Sequence, residues 1–238
     1  MNWLKARRIQ LLLFLCGLIG FGLVAGGRLW AQSPDPHFVL QADAWLHGRL
    51  AIDPPPPKGD DWAILHELEL DDGSVVRGRR MTTRPSYLLI GGEEIPSSKV
   101  RRRLRKIHYV SFPPTPAVVM LPSALISGRR GNDVIPTILI AALILPLAFA
   151  TLRRLNAAGL SQRSERADLW LVAAFAFGSV FYFAAVQGRV WFTAHVIGAA
   201  LVWAYLYNSI EARRPVLAGL CLGLAALALS HLGLNNLI

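Results

Sequence analysis

Long apolar runs, separated by short charged stretches, are the main pattern along this chain. A helix needs about 20 mostly apolar residues to cross the hydrocarbon core of a bilayer. Five runs satisfy or approach that length and predict membrane-spanning helices: residues 9–29, 134–152, 169–186, 190–210 and 216–238. The last run is the weakest because Ser230, His231, Asn235 and Asn236 make its end polar. We therefore predict an all-α polytopic membrane protein with about five spans and one long polar segment.

The first apolar run is also compatible with a secretory signal peptide. Lys5, Arg7 and Arg8 precede it, and the small residue Ala31 offers a cleavage point after it. The run is long and four further runs follow. We therefore favour an uncleaved first span over a removed leader.

Positive charges in the short loops predict the orientation. Basic residues in bacterial-type membranes gather on the cytoplasmic side. If successive apolar runs cross the membrane in opposite directions, the basic residues of the short loops all fall on one side. These residues are Lys5, Arg7 and Arg8, then Arg153, Arg154, Arg163 and Arg166, then Arg213 and Arg214. We expect an inner (plasma) membrane protein with a cytoplasmic N-terminus. Residues 1–30 form the first span, 31–133 an extracytoplasmic loop, and 134–238 a region of four spans.

Two short helices are predicted at the ends of that loop, over residues 36–47 and 116–127. Both are too short to cross a bilayer, so we expect them beside the membrane, in the interface or re-entrant. Each has a polar N-cap, a proline in its first position and a closing glycine: Asp35, Pro36 and Gly48 in the first, and Thr115, Pro116 and Gly128 in the second.

A small β-rich insert is predicted between these helices, over residues 62–112. Alternating apolar and polar residues flank Asp72-Gly73, which is a hairpin signal. Gly91-Gly92 indicates a further turn, and residues 107–112 read as a closing strand. Four prolines at 54–57 form a stiff spacer before the insert.

Composition supports the membrane class and changes how the charge is interpreted. Hydrophobic residues make up 53% of the chain, charged residues 17%, and the mean hydropathy is +0.40. The net charge of +10 therefore reflects loop bias rather than nucleic-acid binding. The basic run at residues 101–106 fits a solvated edge of the β insert better than a site for lipid phosphates, the alternative. Cys16 and Cys221 lie within apolar runs and say nothing about redox compartment.

Histidines provide few signals of their own. His37, His47, His66 and His108 lack metal-ligand spacing, so no metal site is predicted. His195 is an ionisable residue inside a predicted span, which points either to a functional group or to an interhelical hydrogen bond. We favour the hydrogen bond.

Three motifs together resemble the amino-terminal part of membrane glycosyltransferases with the GT-C fold, of the family 39 type. They are Asp35-Pro36-His37-Phe38 after the first run, Phe112-Pro113-Pro114 before the second, and Arg153-Arg154 after it. The resemblance implies transfer of a sugar from a polyprenyl-phosphate donor on the extracytoplasmic side.

The resemblance also implies site residues. An acidic residue on the first external loop of the family acts as general base or positions the acceptor, and by position this is Asp35, with Asp43 as second candidate. Arg189 would stabilise the departing phosphate, and His37 and His195 are further candidates for substrate binding. A divalent cation is conceivable as cofactor, without a ligand motif for it. The implied partners are the bilayer, the polyprenyl-phosphate-linked sugar and a subunit that completes the fold.

Three interpretations stay open at this point. The chain is an active transferase, a non-enzymatic membrane scaffold or accessory subunit that displays its β insert, or an inactive fragment that has kept the fold. The scaffold interpretation predicts that residues 62–106 carry the function, whereas the enzyme interpretation places it on Asp35.

Overall fold

The computed structural model describes residues 3–56 and 61–229. The chain divides into two compact units. The helical unit comprises the chain up to Ala42 and again from Pro113, and the sheet unit comprises Asp43–Phe112.

Eight α-helices lie in the described residues: α1 Trp3–Ala25, α2 His37–Leu46, α3 Thr115–Ser127, α4 Val134–Ala157, α5 Glu165–Phe177, α6 Val180–Ala185, α7 Val190–Ser209 and α8 Pro215–Leu229. A 3₁₀ turn extends α1 to Trp30, and another extends α7 to Ala212. The short helices α2 and α3 occupy the segments predicted at 36–47 and 116–127. Thr115 is not the N-cap of α3 as predicted, because the helix already includes it and begins after Pro114.

Among the described residues, three helices are long and apolar enough to cross a membrane: Leu4–Trp30, Val134–Ala157 and Val190–Ala212. The helical unit is therefore that of a membrane protein, as the apolar runs predict. The expectation of about five spans is wrong.

The predicted span over residues 169–186 is broken in the middle. Helix α5 ends at Phe177, and Ser179 then caps α6, its hydroxyl accepting a hydrogen bond from the Phe181 N–H at 3.2 Å. The two pieces have 13 and 6 residues, too few for either to cross alone. In the last predicted span, helix α8 has 15 described residues, and 230–238 lie outside the described residues.

The core of the helical unit lies where α1, α4 and α7 pack together. Phe21, Phe149 and Val196 are at most 1% exposed at this centre. Gly17 allows α1 to approach α4 closely, since a Cβ there would lie 3.1 Å from the Cα of Ala142. Close packing of this kind stabilises helix pairs where lipid offers no hydrophobic driving force.

The sheet unit is one antiparallel sheet of five strands: β1 Trp62–Leu70, β2 Val75–Arg80, β3 Ser86–Leu89, β4 Glu94–Pro96 and β5 Val100–Val110. The strand order is β4-β3-β2-β1-β5. The predicted β-rich insert is confirmed, with a turn at Asp72-Gly73 where Ser74 donates its N–H to Asp72 at 2.9 Å. The closing strand begins at Val100, earlier than predicted, so the basic run lies within an edge strand.

Candidate functional site

An ion pair between Asp35 and Arg189 marks one end of the helical unit. Arg189 Nε donates to Asp35 Oδ2 at 2.5 Å, across 154 residues of sequence. The Asp35 side chain is 15% exposed and that of Arg189 41% exposed, so the pair is open to a ligand. Two residues to which the resemblance assigns separate roles, as base and as phosphate partner, are thus in direct contact. We call this end of the unit the Asp35 end.

Arg189 is positioned by the tight turn that precedes α7. Gly188 has φ +68°, and a Cβ at this position would lie 2.6 Å from Val134 Cγ2 and 2.9 Å from Val134 Cα. Both the backbone conformation and the space therefore require glycine. The turn packs against the start of α4, and this contact fixes the position of Arg189.

Asp35 is positioned through Ser33 and Asp133. Ser33 donates its N–H to Asp133 Oδ1 at 2.8 Å and its hydroxyl to Asp133 Oδ2 at 2.5 Å. Asp133 stands at the N-cap of α4, but its carboxylate makes no hydrogen bond to that helix. Its two oxygens instead hold the chain two residues before Asp35.

Two threonines link the supports of Asp35 and Arg189. Thr137 on α4 donates its hydroxyl to the Asp133 carbonyl at 2.7 Å and lies 2.8 Å, hydroxyl to hydroxyl, from Thr193 on α7. The Thr193 N–H in turn donates to the Arg189 carbonyl at 2.9 Å. Because Asp133, Thr137 and Thr193 are buried, the hydrogen bonds among them are costly to break.

Asp133 is the residue of this site that sequence reasoning missed. The pKa of its carboxyl is raised to about 6, chiefly by burial and to a smaller extent by the charge of Asp35, although the hydrogen bonds from Ser33 act in the opposite direction. The side chain is 2% exposed. A polar Asn132-Asp133 pair before an apolar run is a helix-start signal, and nothing in the sequence connects it to Ser33, 100 residues earlier.

Further polar contacts hold the same end together. Gln32 donates through Nε2 to the carbonyls of Arg129 at 2.7 Å and Gly131 at 3.0 Å. Asn132 donates through Nδ2 to the Leu29 carbonyl at 2.8 Å. Arg28, after α1, reaches Gln187 Oε1 at 3.3 Å. The segment from Arg28 to Asp35 is therefore anchored along its length.

The other predicted site residues have different surroundings. His37 is 1% exposed at the start of α2, and Asp43 is 4% exposed near the end of that helix. Asp43 Oδ1 lies 3.7 Å from Nδ1 of His47, one turn later along the chain. His195 Nδ1 lies 2.5 Å from the Trp191 carbonyl of its own helix. The interhelical hydrogen bond that we favoured for His195 is therefore wrong.

The described residues offer no donor set for a divalent cation, the cofactor that the resemblance leaves open. Within the part of the chain that the structure describes, no group of three or more His, Cys, Asp or Glu side chains could hold a metal ion. The Asp133 oxygens are occupied by Ser33, and one Asp35 oxygen is occupied by Arg189. The chemistry of this end is accordingly that of a carboxylate, a guanidinium and a buried carboxyl group.

The sheet unit has a cavity of its own, of about 480 Å³. Trp62, His66, Arg80 and Tyr109 are among its lining residues. Burial lowers the pKa of His66, as do the positive charges of Lys106, Arg103 and Arg80. On the edge strand β5, Arg101 pairs with Glu69 at 3.3 Å.

No protein-family model matches the chain, and no curated protein or solved structure matches it. What it does must therefore be argued from its own residues.

Proposed function

We propose that the chain is a GT-C-like membrane glycosyltransferase, which transfers a sugar from a polyprenyl-phosphate donor to an acceptor hydroxyl. The observation that carries the proposal is the Asp35–Arg189 pair. A carboxylate and a guanidinium, each selected from the sequence for one half of the reaction, lie 2.5 Å apart at the end of helices built to span a membrane. A donor with its tail in lipid presents its phosphate at such a boundary.

Asp35 acts as the base in this proposal. The acceptor hydroxyl gives its proton to the Asp35 carboxylate while its oxygen bonds to the anomeric carbon of the sugar. The bond from that carbon to the phosphate oxygen breaks, and its electron pair leaves with the phosphate. General base assistance of this type contributes about 10²- to 10⁴-fold in rate.

Arg189 stabilises the departing phosphate. A guanidinium carries five N–H donors, and the bond to Asp35 uses the one on Nε. With 41% of its side chain exposed, Arg189 presents charge to a ligand while it stays anchored to Asp35. Stabilising charge that develops in the transition state is often the largest single contribution to catalysis.

The proposed orientation places the Asp35 end outside the cytoplasm, in a bacterial-type inner membrane. The basic residues at the opposite end of the helical unit support it, since Arg153, Arg154 and Arg213 lie beyond the apolar parts of α4 and α7. Lys5 pairs with Glu165 at 2.8 Å, so the N-terminal end of α1 and the start of α5 lie at the same end. A partner subunit that completes the substrate chamber belongs to the same proposal.

The scaffold function remains the second candidate. It is favoured by the sheet unit, whose cavity and exposed edge strand offer a surface for a partner. Under this alternative the Asp35–Arg189 pair is structural, and removing residues 62–106 abolishes function.

The test measures release of polyprenyl phosphate from a panel of polyprenyl-phosphate hexoses and pentoses, with the full chain in native membranes. Asp35→Asn and Arg189→Gln should each lower release at least about 100-fold. Asp71→Asn, at an exposed position of the sheet unit, is the matched control and should release at the wild-type rate. Equal release by all four proteins would reject the enzyme proposal in favour of the scaffold.

A further inference from the structure

A second polar cavity, of about 290 Å³, lies at the opposite end of the helical unit. Its lining includes Gln10 of α1, Phe149 and Arg154 of α4, Tyr207 of α7, and Arg213. We call this the Arg154 cavity. It is at the small end of the range for ligand sites, so it suits a compact head group.

Arg154 is held rigidly and is incompletely hydrogen-bonded. Its Nη1 donates to the Tyr207 carbonyl at 2.9 Å, and its guanidinium carbon lies 4.9 Å from the centre of the Tyr207 ring. Its Nη2 is buried and has no hydrogen-bond partner among the described residues. A buried charged donor without an acceptor is costly, and a rigid guanidinium matches the geometry of a phosphate.

The charges that line the cavity do not balance. Arg153 donates to Asp168 at 2.9 Å, and Arg163 binds the other oxygen of that carboxylate at 2.8 Å. Both oxygens of Asp168 thus bind arginines other than Arg154. Among the described residues, Glu211 is the one carboxylate in the lining, against Arg153, Arg154 and Arg213. With Asp168 and Arg163 included, four arginines face two carboxylates, so the surplus of positive charge favours an anion such as a phosphodiester.

The surroundings of the cavity suit a lipid. It opens where the candidate spans α4 and α7 end, and Phe149, Ala150 and Ala157 contribute apolar surface to it. Along α1, Leu11 and Leu12 are 58% and 60% exposed, so an acyl chain can continue from the cavity beside that helix. Basic pockets between transmembrane helices bind the head groups of anionic lipids.

We propose that the Arg154 cavity binds the phosphodiester of an anionic glycerophospholipid, with Arg154 and Arg213 as its ligands. Arg154, which lines the cavity and has one guanidinium nitrogen without a partner among the described residues, supplies the fixed charge. Arg213, exposed at the rim, supplies the second charge. This site lies apart from the Asp35–Arg189 pair and does not depend on the transfer reaction.

The experiment measures lipid binding to the purified full chain in detergent micelles, by native mass spectrometry during titration with phosphatidylglycerol. The comparison arms are phosphatidylcholine, a zwitterionic lipid whose choline cation balances its phosphodiester, and an excess of inorganic phosphate. The wild type should prefer phosphatidylglycerol. Arg154→Gln and Arg213→Gln should each weaken its binding about fivefold.

Arg214→Gln is the matched control, because Arg214 is an exposed neighbour of Arg213 that does not line the cavity. It should bind as the wild type does. If Arg154→Gln fails to fold, the comparison of Arg213→Gln with Arg214→Gln still tests the proposal. Equal affinity in the Arg213→Gln and Arg214→Gln variants overturns the proposal. So does displacement of the lipid by inorganic phosphate, or binding of phosphatidylcholine as tight as that of phosphatidylglycerol.

Discussion

Asp133 holds Ser33 with both oxygens of its carboxylate, at 2.8 Å to the N–H and 2.5 Å to the hydroxyl. This contact joins the start of α4 to the segment that carries Asp35. It is also the contact at the Asp35 end that responds to pH, because burial raises the pKa of Asp133 to about 6.

Stability should therefore fall as the pH rises from about 4 to about 6. The folded state binds the Asp133 proton more tightly than the unfolded state, whose carboxyl titrates near 3.8, so the stabilisation is complete below that value and is lost through pH 6. The difference between the two pKa values lowers the free energy of unfolding by about 3 kcal/mol above pH 6. Thermal unfolding midpoints of the full chain in detergent should show this slope. Asp133→Asn should flatten it, and an equal slope in both proteins would contradict the assignment.

Gly188→Ala should destabilise the chain and disturb Arg189. The new methyl would lie 2.6 Å from Val134 Cγ2 on a backbone with φ +68°. We expect the free energy of unfolding to fall by about 2–4 kcal/mol, together with reduced release of polyprenyl phosphate. Gly159→Ala is the control, since Gly159 also has a positive φ, +72°, but no atom within 4 Å of the added Cβ. If both variants lose the same amount, contact with Val134 contributes nothing.

Thr193→Val should weaken the link between α7 and α4. The change removes the hydroxyl that lies 2.8 Å from Thr137 and should cost about 1 kcal/mol. Thr151→Val is a suitable comparison, because the Thr151 hydroxyl donates only to the Leu147 carbonyl of its own helix. The thermal unfolding midpoint in detergent should be lower for Thr193→Val than for Thr151→Val. The reverse order would show that the threonine pair does not join the helices.

The sheet unit should become less stable as the pH falls, because of His66. Its pKa is lowered from 6.5, chiefly by burial, so the folded unit prefers the neutral ring. Stability is lost as the pH falls below 6.5 toward the folded pKa, where the unfolded state binds a proton first. Opening free energies from amide hydrogen exchange of β1 and β2 should decrease over that range. His66→Gln should weaken the dependence, with the remainder due to His108 on β5, whose pKa burial also lowers. His47→Gln, at an exposed position, should retain the full dependence.

Much of the helical architecture could be predicted because a span leaves a long apolar run. Helices α1, α4 and α7 follow from three such runs. The break between α5 and α6 could not be predicted, since Gly178-Ser179 is tolerated inside membrane helices and only the packed structure shows that Ser179 caps a new helix. The sheet could be predicted from alternating apolar and polar residues and from the turn residues between them. The full length of β5 could not be predicted in this way.

The candidate site was predictable one residue at a time. Asp35 and Arg189 each stood out by position and charge, yet their contact spans 154 residues and has no local signal. Asp133 resembled an ordinary helix start, and its role depends on Ser33, 100 residues away. Long-range pairing of this kind is determined by how the helices pack, which one sequence does not reveal.

A double-mutant cycle on the release of polyprenyl phosphate tests the central claim most directly. Wild type, Asp35→Asn, Arg189→Gln and the double variant are compared at matched membrane levels and unfolding midpoints. If Asp35 and Arg189 act together on one reaction, each single change abolishes most of the release and the double variant is little worse than either. If the singles keep wild-type release, or if their losses multiply in the double variant, the pair is not a catalytic unit.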